Sequence, residues 1–241
     1  VWIPGGGWRG ADKNLMLGEM AEFANAGYVV ASIYYRSSAQ GHYPDQLLDV
    51  KTAVRFLRAN AQKYEIDPER IGVFGRSAGG HLSAMMAMNQ DGFDGEEWAG
   101  YSSEIQASCD MFGPVDVRAL MEGEEARFSD PNFRWHRLED THGGALIGGD
   151  PATMKERAEL ASPVNMVNPK MCPLQILHGD NDPLVPIEKS SEVLYQKIVS
   201  AGMEDRVEFY TFPGAGHGSR EFFQDSVKKL QIEFFDCYLK R

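Results

Sequence analysis

Short apolar, β-branched runs recur along the chain, separated by longer stretches with helical periodicity. The runs are VWI (1–3), YVVASIYY (28–35), IGVFG (71–75), IQASCDMFG (105–113), LQILHG (174–179) and RVEFYTF (206–212). Several are apolar almost without interruption, the pattern of strands covered on both faces. Between them, PDQLLDVKTAVRFLRANAQKY (44–64) opens on a proline suited to a first helical turn and sets Leu47, Val50, Val54 and Leu57 on one face. Near the end, Phe223, Val227, Leu230, Phe234 and Cys237 recur at helical spacing, which predicts a last helix packed on the sheet. Alternating strand and helix mean an α/β fold, a mostly parallel sheet with right-handed crossovers and helices on both faces.

At 241 residues and 43% hydrophobic, the chain is long enough for one such domain over 1–241. Residues 115–160 are polar, interrupted and studded with aromatics, and read as a partly helical insertion between two core strands. No apolar run reaches membrane-spanning length. A net charge of −11 argues against a nucleic-acid partner, which needs a basic surface. Cys109, Cys172 and Cys237 are few, distant and odd in number; they read as small buried apolar residues, with neither a disulfide framework nor metal-ligand spacing. The first residue is Val1 with no signal-like leader, so the amino end reads as cut and the compartment, cytoplasmic or secreted, stays open.

The chemistry gathers in three loops. After IGVFG comes Gly75-Arg76-Ser77-Ala78-Gly79, a G-x-S-x-G pattern between a strand and the helical run HLSAMMAM. So tight a turn needs glycines on either side and holds Ser77 above the carboxyl ends of the strands, over a positive helix N-terminus. A serine needs a base. Of six histidines, His217 in FPGAGHGSR follows a late strand amid small residues that leave the ring accessible. His81, on the helix behind Ser77, reads as structural, His178 as a brace for the next loop, and His136 and His142 as possible substrate contacts. That next loop, HGDNDPLVP, offers Asp180 and Asp182 to hold the imidazole, with Asp182 favoured because it lies deeper and is braced by Pro183. The opening PGGGW supplies what acyl transfer also requires: backbone N–H groups of Gly6 and Gly7 that, with Ala78, can meet a developing oxyanion.

GGGW, YYR (34–36), the helix from Pro44, GRSAGGH, ALIGGDP, ASPV (161–164), HGDNDPLVP and PGAGHG, in that order, resemble the esterase branch of the α/β-hydrolase superfamily. The nearest group is the bifunctional feruloyl and acetyl-xylan esterase-like proteins. The resemblance implies an α/β-hydrolase fold and a serine esterase that needs no cofactor or metal. Its substrates would be short acyl esters, such as acetyl groups on xylan or xylo-oligosaccharides. Trp8, Phe133, Trp135 and His136 are the expected substrate contacts, although Phe128, Phe133 and Trp135 equally suit a small hydrophobic cluster pinning the insertion. An amidase or peptidase on the same residues is the alternative, with EGEEAR (122–127) as an anchor for a substrate amine. A binding protein on this fold would be expected to lack one of the three side chains, and all three are present.

The chain departs from the group twice. Its members usually carry His-Gly-Gly-Gly, and Pro4 takes the histidine position. They also carry strands ahead of the one before the glycines. Their absence here leaves YVVASIYY at an exposed edge, to be covered by upstream sequence or by a second copy in a homo-oligomer.

Overall fold

The computed structural model describes residues 1–89 and 92–240. Among them, five strands, β1 (Trp2–Ile3), β2 (Gly72–Arg76), β3 (Ala107–Met111), β4 (Leu174–Gly179) and β5 (Val207–Phe212), form one sheet in the order β1-β2-β3-β4-β5. Every pairing is parallel. Such a sheet needs a crossover between successive strands and cover on both faces. The helices supply both: α1 (Leu17–Asn25), α2 (Asp45–Ala59), α3 (Ala61–Tyr64), α4 (Ala78–Ala87), α5 (Val117–Glu125), α6 (His142–Ile147), α7 (Lys155–Leu160), α8 (Ser191–Ser200) and α9 (Asp225–Leu239). On one face α1 and α9 bury Phe23, Phe234 and Phe235 against Trp2 and Phe74. On the other, Val50 and Val54 of α2, Leu82 of α4 and Leu194 of α8 close over Ile3, Val73 and Ile176.

Two expectations are corrected. The run 28–35 is not a regular strand; it meets β1 at the single bridge Trp2 to Ser32. β1 has two residues before the chain leaves the sheet as the glycine loop, so it offers only the Trp2 N–H (to the Ala31 carbonyl, 2.8 Å) and the Trp2 carbonyl (from the Ile33 N–H, 3.3 Å). Val29 and Tyr34 on this segment are each 56% exposed. In α9 the buried face runs through Val227, Gln231, Phe234, Phe235 and Leu239, while Cys237 is exposed. Phe235 and Leu239 turn inward because Gly72 of β2 leaves room for them: a Cβ there would fall 2.7 Å from Phe235 and 2.9 Å from Leu239.

Residues 115–160 carry α5, α6 and α7. The side chain of Asp116 caps α5 by accepting from the Arg118 and Ala119 N–H groups, and Val117, Leu120 and Met121 bury into the core beneath. Among the described residues, no helix is long and apolar enough to cross a membrane.

Candidate active site

Ser77 stands between the end of β2 and the first residue of α4 with φ 55° and ψ −123°, a conformation that side chains rarely adopt. Its N–H is held by the Met111 carbonyl at 2.8 Å, and its own carbonyl accepts from His81 N–H at 2.9 Å. The flanking glycines are sterically compelled. A Cβ on Gly75 would fall 2.4 Å from the Gly79 carbonyl oxygen, and one on Gly79 would fall 2.0 Å from that of Ile3.

His217 reaches Ser77 from the loop after β5, with Nε2 2.9 Å from Oγ. Its Nδ1–H donates to Oδ2 of Asp182 at 2.7 Å, and Phe112 meets the ring edge-on at 4.9 Å. Asp182, in the loop after β4, accepts at Oδ1 from the Leu184 and Val185 N–H groups, both at 2.9 Å. Burial alone would raise its pKa. Hydrogen bonds from His178 and His217, the charge of His217 and the Val185 N–H outweigh it and hold the carboxyl well below the usual carboxylate range. His178 is fully buried and braces this loop, with Nε2 on the Val185 carbonyl at 2.9 Å and Nδ1 on the Ser191 hydroxyl at 2.6 Å. Asp180 points elsewhere and accepts from the Gly214 N–H at 2.6 Å.

The glycine loop borders the same cleft, which encloses about 430 Å³ and is lined by Gly6, Gly7, Trp8, Ser77, Ala78 and His217 among others. Gly6 (φ 130°) and Gly7 (φ 58°) take left-handed conformations. Among the described residues, no acceptor engages the N–H of Gly6, Gly7 or Ala78. Three contacts fix the loop: the Tyr35 hydroxyl donates to the Pro4 carbonyl at 2.9 Å, the Ser38 N–H donates to the Trp8 carbonyl at 2.7 Å, and Trp8 Nε1 donates to His81 at 3.2 Å. The carbonyl of Pro4 anchors that position through a bond that does not depend on the side chain there.

The expected substrate contacts divide. Trp8 lines the cleft; Phe133, Trp135 and His136 do not. Phe133 is buried between Phe128, Trp135 and the Arg127 guanidinium, which lies 4.2 Å from its ring. His136 is exposed and bonded to the Phe128 carbonyl at 3.2 Å. Phe128 and Phe133 hold residues 115–160 to one another. Trp135 approaches the site through His142, which it meets edge-on at 4.4 Å and which does line the cleft, and through Arg9 after the glycine loop, whose guanidinium lies 5.4 Å from its ring. Glu124 lies behind His142, 2.8 Å from Nδ1. Sequence reasoning did not pair the two, since they lie 18 residues apart across irregular chain with no shared periodicity. Among the described residues, no cluster of three or more His, Cys, Asp or Glu side chains is arranged to hold a metal ion.

The arrangement can do acyl-transfer chemistry: a hydroxyl on a proton acceptor, a carboxylate behind it, and N–H donors across the cleft. Comparison with known proteins points the same way. Esterase LipC of Mycobacterium tuberculosis is 30% identical over 221 residues, covering 90% of this chain and 52% of its own length. The chain spans about half the length of the curated relatives it matches first. The solved structure of a truncated form of carbohydrate esterase from gut microbiota aligns at 32% identity with a TM-score of 0.86, covering 100% of this chain and 85% of that one. A bifunctional GH43-CE of Bacteroides eggerthii aligns at 27% identity and a TM-score of 0.85, over 98% of this chain and 31% of its own. The BD-FAE family model matches residues 1–198. Matched from β1 to within α8, the chain belongs to the BD-FAE family of α/β-hydrolases.

Proposed function

We propose that this chain is a serine-dependent carboxylic ester hydrolase acting on short acyl esters, acetyl groups of xylan or xylo-oligosaccharides foremost. The observation that carries the reading is the unbroken line from Asp182 through His217 to Ser77 Oγ, at 2.7 and 2.9 Å, opening on a cleft bordered by the glycine loop. The esterase relative and the carbohydrate esterase structures support the substrate class.

In this mechanism His217 Nε2 takes the Ser77 proton as Oγ attacks the ester carbonyl, and Asp182 stabilises the imidazolium. The oxyanion is met by the N–H groups of Gly6, Gly7 and Ala78, the last at the positive end of α4. His217 then protonates the leaving alcohol, and water repeats the sequence on the acyl-enzyme. Hydrolysis of p-nitrophenyl acetate, butyrate and octanoate and of acetylated xylan by wild type and Ser77→Ala tests the reading. The expected result is preference for acetyl, acetate release from xylan, and a loss of about 10⁴ or more in kcat for the variant. Substantial activity in Ser77→Ala would overturn it. An amine anchor in EGEEAR gains no support from the site: both oxygens of Glu124 are taken by the N–H groups of His142 and Gly143, and neither Glu122 nor Glu125 lines the cleft.

A further inference from the structure

The reaction above makes no use of one polar atom in the cleft wall, Nε2 of His142. The ring that carries it is fixed from three sides. Nδ1 lies 2.8 Å from Glu124 Oε1, Trp135 meets the ring edge-on at 4.4 Å, and the Cδ2–Nε2 edge packs on the glycine loop. A Cβ on Gly7 would fall 2.2 Å from Cδ2 and 2.7 Å from Nε2. Glu124 is 2% exposed and also accepts from His142 N–H at 3.1 Å and Gly143 N–H at 3.4 Å. A carboxylate engaged in this way only accepts, so Nδ1 carries the hydrogen and the ring is held in one orientation. Among the described residues, nothing engages Nε2, and His142 lines the cleft. A buried carboxylate is costly to keep without partners, and here its partners serve to aim one nitrogen beside the oxyanion donors.

We infer that His142 Nε2 binds a hydroxyl of the substrate beside the scissile ester, which makes the Glu124–His142 pair a specificity determinant for esters of polyols and sugars. This rests on the ester hydrolysis proposed above. The chemical class follows from the atom. Nε2 is an acceptor in the neutral ring and a donor in the charged one, and a hydroxyl can answer both. A carbonyl answers only the charged ring, and an ammonium only the neutral ring. The place follows from Gly7. A group bound over the residue whose N–H faces the carbonyl oxygen lies a few ångströms from that carbonyl, where a hydroxyl on the neighbouring carbon of an acetylated sugar ring sits.

The test uses two xyloside acetates, one with a free hydroxyl beside the acetylated carbon and one with that position deoxygenated. p-Nitrophenyl acetate is assayed alongside. Wild type is expected to favour the free-hydroxyl ester in kcat/KM by roughly three- to tenfold, the worth of one hydrogen bond. His142→Phe, which retains a ring against Trp135 and Gly7, should abolish the preference, and His142→Gln, which returns a hydrogen-bonding group, should restore part of it. Equal turnover of the two xylosides by wild type overturns the inference whatever the variants do, as does a preference that survives in either the folded Phe variant or a His142→Leu variant. Turnover of p-nitrophenyl acetate but of neither xyloside overturns it together with the sugar substrate. Turnover of none of the three by wild type removes ester hydrolysis itself.

Discussion

Trp8 Nε1 donates to His81 Nδ1 over 3.2 Å, and both rings are buried. The bond crosses from the glycine loop to α4, the helix that begins beside Ser77. His81 Nε2–H continues to the Ala161 carbonyl at 2.7 Å, so one imidazole joins three segments of the chain. Burial pushes its pKa down to about 4, with the Ala161 bond opposing, so near neutral pH it is an uncharged ring that accepts on one nitrogen and donates on the other.

Trp8→Phe keeps an aromatic ring but removes the donor, leaving Nδ1 buried and unpartnered. That should lower stability by about 1–3 kcal/mol. The loop bearing Gly6 and Gly7 should also lose definition, so kcat should fall more than KM rises. Urea denaturation together with steady-state kinetics checks both, and an unchanged midpoint with unchanged kcat would show the link to be inert.

Gly7→Ala places a methyl 2.2 Å from His142 Cδ2 at a residue with φ 58°. The left-handed backbone alone is disfavoured by about 1–2 kcal/mol for a residue with a Cβ. Activity should drop at least tenfold, the order expected when one oxyanion donor is displaced, with the far-ultraviolet dichroism retained. Adding His142→Ala should recover part of the loss on p-nitrophenyl acetate, which has no hydroxyl for His142 to bind, since the clash goes and the backbone strain stays. No recovery would mean that His142 is not what the methyl meets.

Asp182 and Asp180 lie two residues apart and should differ sharply. Asp182→Asn removes the acceptor for His217 Nδ1–H and should lower kcat by about 10⁴. Among the described residues, the Asp180 side chain holds only the Gly214 N–H, at 2.6 Å, so Asp180→Asn should cost less than about tenfold, a single weakened hydrogen bond. Comparable losses in the two variants would contradict these roles.

Asp110 is fully buried on β3, with Oδ1 bonded to Gly113 N–H at 2.8 Å and Oδ2 without a partner among the described residues. Burial pushes its pKa up to about 6, against the Gly113 bond and the charge of His178. Its contribution to stability is therefore full below pH about 4 and lost as pH rises through about 6. His81 runs the other way: its folded pKa of about 4 lies below the unfolded value, so its contribution falls as pH drops from about 6.5 to about 4. Across this window the two oppose one another. Asp110→Asn removes one of them, so the variant should gain stability relative to wild type between pH 4 and 7 by about 2–3 kcal/mol. Urea midpoints across that range decide it; parallel curves for the two proteins would refute the assignment.

The sheet could be read from the chain where burial on both faces leaves one solution. LQILHG (174–179) coincides with β4 because each of its side chains is enclosed. The turn at Ser77 was legible for a related reason, since two obligatory glycines between an apolar run and a helical run permit few backbones. YVVASIYY has strand-like composition, but pairing depends on the neighbour's length, and a two-residue β1 offers little to pair with. Cys237 fits a periodic stripe, yet Gly72 turns Phe235 and Leu239 toward the sheet instead, and that contact joins residues far apart in the chain. The Glu124–His142 pair was illegible for a comparable reason, because irregular chain has no period from which to infer which side chains meet; the cluster of Phe128, Phe133 and Trp135, close together in the chain, was one of the two readings those aromatics allowed.

The Tyr35 hydroxyl grips the glycine loop by the carbonyl of residue 4. Every amino acid brings a carbonyl, so this latch makes no demand on the side chain it holds. The latch therefore admits proline at position 4, where burial limits the size of the side chain and not its hydrogen bonding, while Tyr35 is the member of the pair that must be kept.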